Sequence, residues 1–440
     1  MASLTSMTLR GVTFLVTALA VAGCAGPQIE PLMPTPILFS ELNLSPLDNI
    51  PEDQRWKPRK VYYATTRQRD VDLQRINYGN DESDVISAGM SLIGFGGDSL
   101  TWSDLSDYSR SAERPNVVEL SVAGLLEAGK FRPSMEGPVS ENAAEGLAWL
   151  MADMNRSIAS ARDKDLLIYV HGAKVNFYNA NAFAAQLDHF MGRDMTSIAF
   201  SWPTRQNILS YGIGDDVDRA YRAAPSLASL IEVLAGQSDA RRINIVCWSA
   251  GGRVVTSALE ELYNRNKGSG QDPREQFRLG TVYFAAADVP TSDFVEALPE
   301  INGLVDRVVV TLSSKDGALD MGSTFMGGGA RIGQKSQDLT EEALNTLIAA
   351  DRLEVIDVSR DWEGRGFDIT GHRYWINHPW ASSDLVLAVR SDLRAKERGL
   401  EPTELDVLWA IPADYPERLK SLLTREGVRL REVSTADDAN

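Results

Sequence analysis

Residues 243–252, which read INIVCWSAGG, decide the fold of this chain. Their apolar, β-branched first half predicts a buried strand, and the RVVTSAL segment that follows at 253–259 has a helical pattern. Ser249 lies at the turn between them, which is the layout of a nucleophile elbow. Such a turn strains the backbone, so the residues two before and two after the serine must be small. They are Cys247 and Gly251, with Cys in the usual place of Gly. The alternative interpretation is that Ser249 only caps the helix.

Composition excludes several classes of protein. With 440 residues, 43% hydrophobic and 24% charged, the chain is long enough for one large domain or two smaller ones. A net charge of -17 argues against nucleic acid or an anionic membrane surface as the main partner. There is no His-Glu-x-x-His or Cys-x-x-Cys motif, and only four His are present. We therefore expect no metal and no cofactor.

The N-terminus has the features of an export signal. An apolar stretch at residues 11–20 follows Arg10 and ends in VAGC at 21–24, and it is too short for a confident membrane span. This pattern resembles the bacterial lipoprotein signal, which implies removal of residues 1–23 and lipidation of Cys24. Ala25 is not the Asp associated with inner-membrane retention, so the resemblance favours the outer membrane, facing the periplasm. The alternative is an ordinary signal peptide cut near Ala22 and Gly23.

The chain after Cys24 falls into three predicted regions. Residues 24–58 are rich in Pro and polar residues and predict a lipidated N-terminus with a flexible tether. Residues 59–400 predict the folded domain, and residues 401–440 a C-terminal extension. Within the domain, a segment at about 70–116 is rich in Asp, Ser and Gly and predicts an inserted loop. It would either fold over the active site as a lid or have no role. Lipidation of Cys24 leaves Cys247 as the other thiol, so no intrachain disulfide is expected.

Strand and helix patterns alternate through the domain. Helical patterns occur at 143–160, 183–191, 223–235, 253–264 and 341–350. This alternation predicts an α/β protein with a mostly parallel, eight-stranded sheet and helices on both faces. The eight predicted strands are 61–66, 117–123, 166–170, 197–202, 243–248, 282–286, 308–312 and 353–358.

The order of candidate catalytic residues fits an α/β-hydrolase fold, in which Ser, an acid and His follow successive strands. Ser249 follows the fifth predicted strand, Asp316 the seventh and His372 the eighth. A serine hydroxyl needs a neighbouring imidazole to remove its proton, and a carboxylate to orient that imidazole. Asp288, at the end of the sixth strand, is the competing acid, and His378 is the competing base.

Two further elements of the site follow from the same order. The oxyanion hole would be formed by the backbone N–H of Ala250 and by the His-Gly loop, at Ala173. His171 ends the third strand, where its ring would brace that loop. His189 lies in a helical pattern and is expected to be structural.

An ordered set of motifs resembles the bacterial α/β-hydrolase family known as domain of unknown function 900. The resemblance covers roughly residues 60–395 and implies a serine-hydrolase fold with Ser249, Asp316 and His372 as the triad. Two departures lie beside the site: Ala173 and Lys174 replace a common Tyr-Asn, and Trp248 replaces a common His. The motifs are YYATTR (62–67), YVHG (169–172) with Phe177, FSWP (200–203), the elbow, AAD (286–288), SKDGAL (314–319), ARIG (330–333) and GHRY (371–374).

These observations lead to two hypotheses. The first is a membrane-tethered serine hydrolase that cleaves a carboxylic ester, either a small molecule or a lipid, through an acyl-enzyme. The second is a catalytically silent hydrolase fold that acts as an interaction protein of the cell envelope, motivated by the departures around the elbow and by the C-terminal extension. The pocket shape and the position of His372 relative to Ser249 distinguish them.

Overall fold

The computed structural model describes residues 30–426, except 43, 72–75, 134–136, 208–213, 320–328, 335–339 and 361–370. Thirteen strands in these ranges form one sheet. They are β1 (Glu30–Pro31), β2 (Arg59–Arg69), β3 (Tyr78–Phe95), β4 (Glu119–Arg132), β5 (Gly137–Pro138), β6 (Leu166–Val170), β7 (Thr196–Ser201), β8 (Ile243–Trp248), β9 (Leu279–Ala285), β10 (Val305–Leu312), β11 (Leu353–Asp357), β12 (Glu401–Pro402) and β13 (Leu408–Ala410).

Helices connect most of these strands, and a short 3-10 helix covers Glu52–Gln54. Among the described residues the α-helices are α1 (Ile37–Ser40), α2 (Trp102–Arg110), α3 (Glu141–Ser160), α4 (Phe177–Phe190), α5 (Asp215–Gln237), α6 (Gly251–Asn266), α7 (Pro273–Phe277), α8 (Thr291–Leu304), α9 (Glu341–Ala349), α10 (Tyr374–Asn377), α11 (Pro379–Arg390) and α12 (Tyr415–Glu426). In this part of the chain no helix combines the length and the apolar character needed to cross a bilayer.

The centre of the sheet is parallel. Eight neighbouring strands run in the same direction, in the order β2, β7, β6, β8, β9, β10, β11 and β13. β3, β4 and β1 continue the sheet in antiparallel fashion beyond β2, and β12 pairs antiparallel with β13. β8, which carries the elbow, therefore lies inside the parallel block, where both of its faces are covered.

Helices pack on both faces of the sheet, as the sequence predicts. One apolar core lies between the sheet and α1, α4, α11 and α12, and a second lies between the sheet and α3, α5, α6 and α8. Every residue of β6, β7, β8 and β9 is buried, as expected for strands covered on both faces. The predicted fold class, an α/β-hydrolase fold with a mostly parallel sheet, is confirmed.

All eight predicted strands are present, but one belongs to a different part of the sheet. The predicted strand at 117–123 lies in β4, which is antiparallel to its neighbours. The eighth parallel strand is instead β13, with only three residues. Three residues are too few to show a period-two pattern, so the sequence could not reveal it.

The predicted tether at 24–58 is wrong for its described part. β1 pairs with β4, and the α1 residues Ile37, Leu38 and Phe39 are buried in the core of the domain. The backbone N–H of Leu38 donates to Ser383 Oγ on α11 at 3.0 Å. The frequent Pro residues interrupt any helical or strand periodicity in this segment, so the sequence does not predict its structure. Its apolar residues nevertheless pack against the domain.

The predicted loop insertion at 70–116 is also wrong for its described part. This segment forms β3, which spans 18 residues along β2, and the helix α2. Only its last third alternates clearly between half-buried and buried positions, ending at Ile93 and Phe95. The first half of β3 contains the exposed residues Glu82 and Asp84. Such residues are compatible with a solvent-facing strand, but their composition is also typical of a loop.

The C-terminal boundary at residue 400 is displaced as well. β13 joins the parallel block, and Ile411, Tyr415 and Leu419 are buried in the core that α11 covers. The folded domain therefore extends from residue 30 to at least the end of α12. The predicted signal peptide and Cys24 lie outside the described residues.

Phe39 provides a test of this enlarged domain. Its ring is buried and lies 5.9 Å from the ring of Phe190. We expect Phe39→Ala to lower the free energy of unfolding by about 3–5 kcal/mol, because it leaves a cavity in the core. Trp56→Ala, at a ring in the same segment that is 59% exposed, should change it by about 0.5 kcal/mol or less. Urea unfolding measures both, and equal small effects would contradict the packing of residues 30–50.

Candidate active site

The turn after β8 has the geometry of a nucleophile elbow. Ser249 has a φ of 54°, in the left-handed region that non-glycine residues seldom adopt. A Cβ at Gly251 would lie 2.6 Å from the carbonyl oxygens of Val170 and His171. Cys247, two residues before the serine, is fully buried, and burial raises the pKa of its thiol. The small residues at both positions thus allow β6 and the start of α6 to meet at Ser249.

The loop that carries His372 packs directly on the loop after β10. Gly371 has a φ of 68°, and a Cβ there would lie 2.5 Å from the carbonyl oxygen of Lys315. This contact brings the residues on either side of it, His372 and Asp316, to the same end of the sheet. Asp316 is completely buried, and its Oδ1 accepts a hydrogen bond from the backbone N–H of Leu319 at 3.2 Å.

Ser249, His372 and Asp316 form a continuous hydrogen-bonded chain. The Oγ of Ser249 lies 2.8 Å from Nε2 of His372, and Nδ1 of the same ring lies 2.7 Å from Oδ2 of Asp316. Both distances are within the range for strong hydrogen bonds. The sequence named these three residues, and the structure places them in contact across separations of 123 and 56 residues.

Trp248 packs against His372 and stabilises its position. Its ring lies 5.5 Å from the ring of His372, and its Nε1 donates to the backbone carbonyl of His372 at 3.3 Å. On its other side the indole packs against Phe183 and Trp375, at 5.7 and 6.1 Å. The bulky residue before the serine, a departure from the family pattern, therefore holds the histidine loop in place.

The predicted oxyanion donors lie at the two loops that meet beside Ser249. Within the described residues, the backbone N–H groups of Ala173 and Ala250 donate to no protein acceptor. A Cβ at Gly172 would lie 2.8 Å from the Cβ of Ser249, so the His-Gly loop passes directly against the serine. The two predicted donors thus belong to segments that meet at the serine, and their role in an oxyanion hole stays a prediction.

Arg67, on β2, holds this His-Gly loop in position. Its buried guanidinium donates to the carbonyl oxygen of Val175 at 2.6 Å, to Ser201 Oγ at 2.9 Å and to the carbonyl oxygen of Gly79 at 3.0 Å. Burial lowers the pKa of Arg67 to about 9, so the group is still cationic at neutral pH. One side chain therefore joins β2, β3, β7 and the loop that carries Ala173.

Asp288, the competing acid, has different partners. Its Oδ1 accepts from Nε of Arg331 at 2.7 Å, and its Oδ2 accepts from Arg253 at 3.2 and 3.3 Å. Burial raises the pKa of its carboxyl, while the Arg331 guanidinium opposes that shift. The backbone N–H of Asp288 also donates to the carbonyl oxygen of Ser249 at 3.0 Å. Asp288 therefore supports the elbow through two arginines and the carbonyl oxygen of Ser249, while Asp316 is the carboxylate that hydrogen-bonds to His372.

The other three histidines have structural contacts. His171 is buried with its ring stacked 5.4 Å from Trp202, and burial lowers its pKa to about 3. His189 lies 2.7 Å from Ser109 Oγ, between α4 and α2. His378 caps α11 by accepting from the backbone N–H of Trp380 at 3.1 Å, and burial lowers its pKa to about 4.

Sequence reasoning missed the roles of Arg67 and Trp248. Both residues lie in the sequence motifs, but the motifs do not indicate their partners. Arg67 directly follows the predicted strand at 61–66, and a charged side chain that continues a buried strand is a signal for a buried hydrogen-bond network. In the described part of the chain no group of three or more His, Cys, Asp or Glu side chains is placed to hold a metal ion.

Comparison with known families agrees with this fold. The family model for alpha/beta hydrolases of unknown function, DUF900, matches residues 148–390. The chain therefore belongs to this family of α/β hydrolases. The matched region contains Ser249, Asp316 and His372. It begins within α3 and leaves out β1–β5 and the segment from β12 onward, so it is shorter than the predicted resemblance over residues 60–395.

Two solved structures are similar to the chain at low identity. One is a proposed cell surface hydrolase from Lactobacillus plantarum WCFS1, with 11% identity, a TM-score of 0.24, and coverage of 43% of this chain and 90% of that one. The other is LpqC, a poly(3-hydroxybutyrate) depolymerase from Bordetella parapertussis, with 16% identity, a TM-score of 0.24, and coverage of 62% and 84%. None of the curated proteins matches the chain.

The role of Arg67 in positioning the His-Gly loop can be tested by mutation. We expect Arg67→Ala to slow the reaction of Ser249 with a fluorophosphonate by roughly tenfold to a hundredfold, because displacement of a catalytic group by about 1 Å has this effect. The variant should keep its circular dichroism spectrum, and Arg67→Lys should recover part of the rate. Arg222→Ala, at an exposed arginine paired with Glu82, is the matched control and should react like wild type. A full rate in folded Arg67→Ala would contradict the role of Arg67.

Proposed function

We propose that this α/β hydrolase is a serine hydrolase that cleaves carboxylic esters through an acyl-enzyme. Ser249 is the nucleophile, His372 the general base and then the general acid, and Asp316 the orienting carboxylate. The observation that carries the proposal is the hydrogen-bonded chain from Ser249 through His372 to Asp316, with distances of 2.8 and 2.7 Å. A serine in strained backbone at the end of a parallel strand adds support.

The reaction follows from these contacts. The Oγ of Ser249 attacks the ester carbonyl carbon while Nε2 of His372 takes the hydroxyl proton. Oδ2 of Asp316 accepts a hydrogen bond from the N–H at Nδ1, which fixes the tautomer and stabilises the imidazolium. The negative oxygen of the tetrahedral intermediate accepts hydrogen bonds from the backbone N–H groups of Ala250 and Ala173. His372 then donates its Nε2 proton to the leaving alcohol oxygen.

Release of the acyl group uses the same residues with water as the nucleophile. Nε2 of His372 takes a proton from water, whose oxygen attacks the acyl carbon on Ser249. Collapse of the second intermediate returns the proton to Oγ of Ser249 and frees the carboxylic acid. The substrate class is a carboxylic ester of a small molecule or a lipid, and no cofactor takes part.

The silent-fold hypothesis has less support. It would be favoured by a His372 ring turned away from Ser249 or by residues 70–116 filling the pocket. In the described residues the ring contacts the serine, and β3 and α2 lie in the sheet and its flank. The C-terminal segment that motivated the hypothesis contributes β13 and α12 to the same domain.

Labelling with a fluorophosphonate probe tests the proposal. We expect the wild-type chain to be labelled at Ser249, and Ser249→Ala and His372→Ala to lose labelling because nucleophile and base are removed. Asp316→Asn should slow turnover of a nitrophenyl ester by roughly 10⁴-fold, since the imidazole loses its orienting carboxylate. Asp288→Asn should slow it far less.

Controls separate catalysis from folding. Ser257→Ala changes a half-buried serine on α6 and should be labelled like wild type. Circular dichroism establishes that each variant is folded. A folded wild-type chain that never reacts with probes of several sizes would contradict the serine-hydrolase proposal, and a larger loss in Asp288→Asn than in Asp316→Asn would move the acid to Asp288.

We further propose that the enzyme is tethered to the bacterial envelope through Cys24. Residues 1–23 would be removed as a lipoprotein signal peptide, and lipidated Cys24 would hold the domain at the outer membrane, facing the periplasm. The support is the VAGC pattern at 21–24 with Ala25 after it. Five residues separate Cys24 from β1, so the folded domain would lie close to the membrane surface. Envelope proteins would be accessible as partners there.

Substitution of Cys24 tests the tether. The mature wild-type chain should fractionate with membranes and carry the added mass of acyl groups. Cys24→Ser should remove both, because its hydroxyl cannot replace the thiol in lipid attachment. Cys247→Ser is the matched control at the other cysteine and should keep the lipid. A membrane-bound, acylated Cys24→Ser chain would contradict the proposal.

A further inference from the structure

A cavity lies away from the catalytic residues, over the antiparallel part of the sheet. It has a volume of about 250 Å³ and lies between α3 and α5. Its floor includes Ala64 on β2 and Ala88 on β3, which face each other directly across the two strands. In the order of strands, β7 and β6 separate β2 from β8, which carries the elbow. No residue of the triad or of the predicted oxyanion hole lines the cavity.

The sequence builds this space in two ways. Helix α3 approaches β4 closely, because a Cβ at Gly146 would lie 1.9 Å from the carbonyl oxygen of Ala128 and one at Gly129 would lie 2.6 Å from that of Ala143. Because α3 packs closely on β4, a space remains between α3 and α5. Small side chains at Ala64, Ala88, Ala144 and Ala148 then leave this space unfilled.

The walls are apolar and the rim is polar. Leu147 and Met151 on α3 face Leu230 and Val233 on α5, and unbranched Met adapts to flexible ligands. Arg132 and Gln237 are exposed and line opposite ends of the same cavity. Gln237 lies beside Asn155 near the end of α3, whereas the strand that ends at Arg132 packs on Ala143 at its start. An apolar cavity of this kind is a poor site for water, which needs two or more polar partners, and a good one for hydrocarbon.

We infer that this cavity binds one unbranched alkyl chain, with its polar head at one of the two exposed ends, where Arg132 and Gln237 lie. The chemical class is a single-chain amphiphile such as a fatty acid. A cavity of about 150 Å³ holds the six carbons of benzene, so the volume found here corresponds to about ten carbons. The site is separate from the catalytic serine, and its occupation does not depend on turnover.

Calorimetric titration of the full chain carrying Ser249→Ala with sodium decanoate tests the inference. We expect saturable binding at one site per chain, and weaker binding of butyrate, whose chain is too short to fill the cavity. Adding Ala88→Leu should lower the affinity for decanoate at least tenfold, because the larger side chain occupies the floor. Adding Ala144→Leu fills the cavity from the α3 side and should have the same effect if Ala88→Leu does not fold.

Two comparisons make the result specific. Ala152→Leu is the matched control: Ala152 is exposed on α3, outside the lining, so its change should leave binding intact. Decanol in place of decanoate distinguishes recognition of the chain from recognition of the carboxylate at the rim, and binding of either supports the site. Absence of saturable binding by both, or binding that the folded cavity-filling variants leave unchanged, would overturn the inference. So would loss of binding when wild-type Ser249 is blocked by a fluorophosphonate.

Discussion

The candidate site depends on close backbone contacts that leave no room for a side chain. Gly251 touches the carbonyl oxygens at the end of β6, Gly172 touches Ser249, and Gly371 touches the carbonyl oxygen of Lys315. Each contact joins two loops that follow different strands of the parallel block. A methyl group at any of the three would push those loops apart by more than the tolerance of a hydrogen bond. The triad distances are therefore a consequence of three glycines, as much as of the triad residues themselves.

Buried charged groups and aromatic packing stabilise the loops that these three glycines bring into contact. Arg67 satisfies carbonyl groups of the His-Gly loop and of β3, while Asp288 receives two guanidinium groups behind the elbow. Buried charges of this kind are costly unless they are paired, so removing one partner disturbs the loop that depends on it. The ring of Trp248 packs against His372 and stabilises the histidine loop by apolar contact. The same fold leaves a cavity elsewhere, over β2 and β3, where the side chains are small.

The sequence predicted much of the fold because the central strands are buried on both faces. A nearly continuous apolar run such as Ile243–Trp248 indicates a buried strand in an alternating α/β pattern, and its bounds agree with β8. The triad could be named because few His are available and because strand order fixes which loops share one end of the sheet. The segments at 30–58, 70–116 and 401–426 were misjudged since Pro, exposed polar residues and very short strands hide the period. The roles of Arg67 and Trp248 depend on tertiary contacts that no local pattern contains.

Mass spectrometry of the acid-quenched reaction with a nitrophenyl ester tests the central claim most directly. The account predicts that the peptide containing Ser249 gains the mass of the acyl group, that the adduct accumulates in His372→Ala only to a trace, and that Ser257→Ala accumulates it like wild type. Hydrolysis of the ester by wild-type protein with no adduct on Ser249, or with the adduct on another residue, would contradict the account.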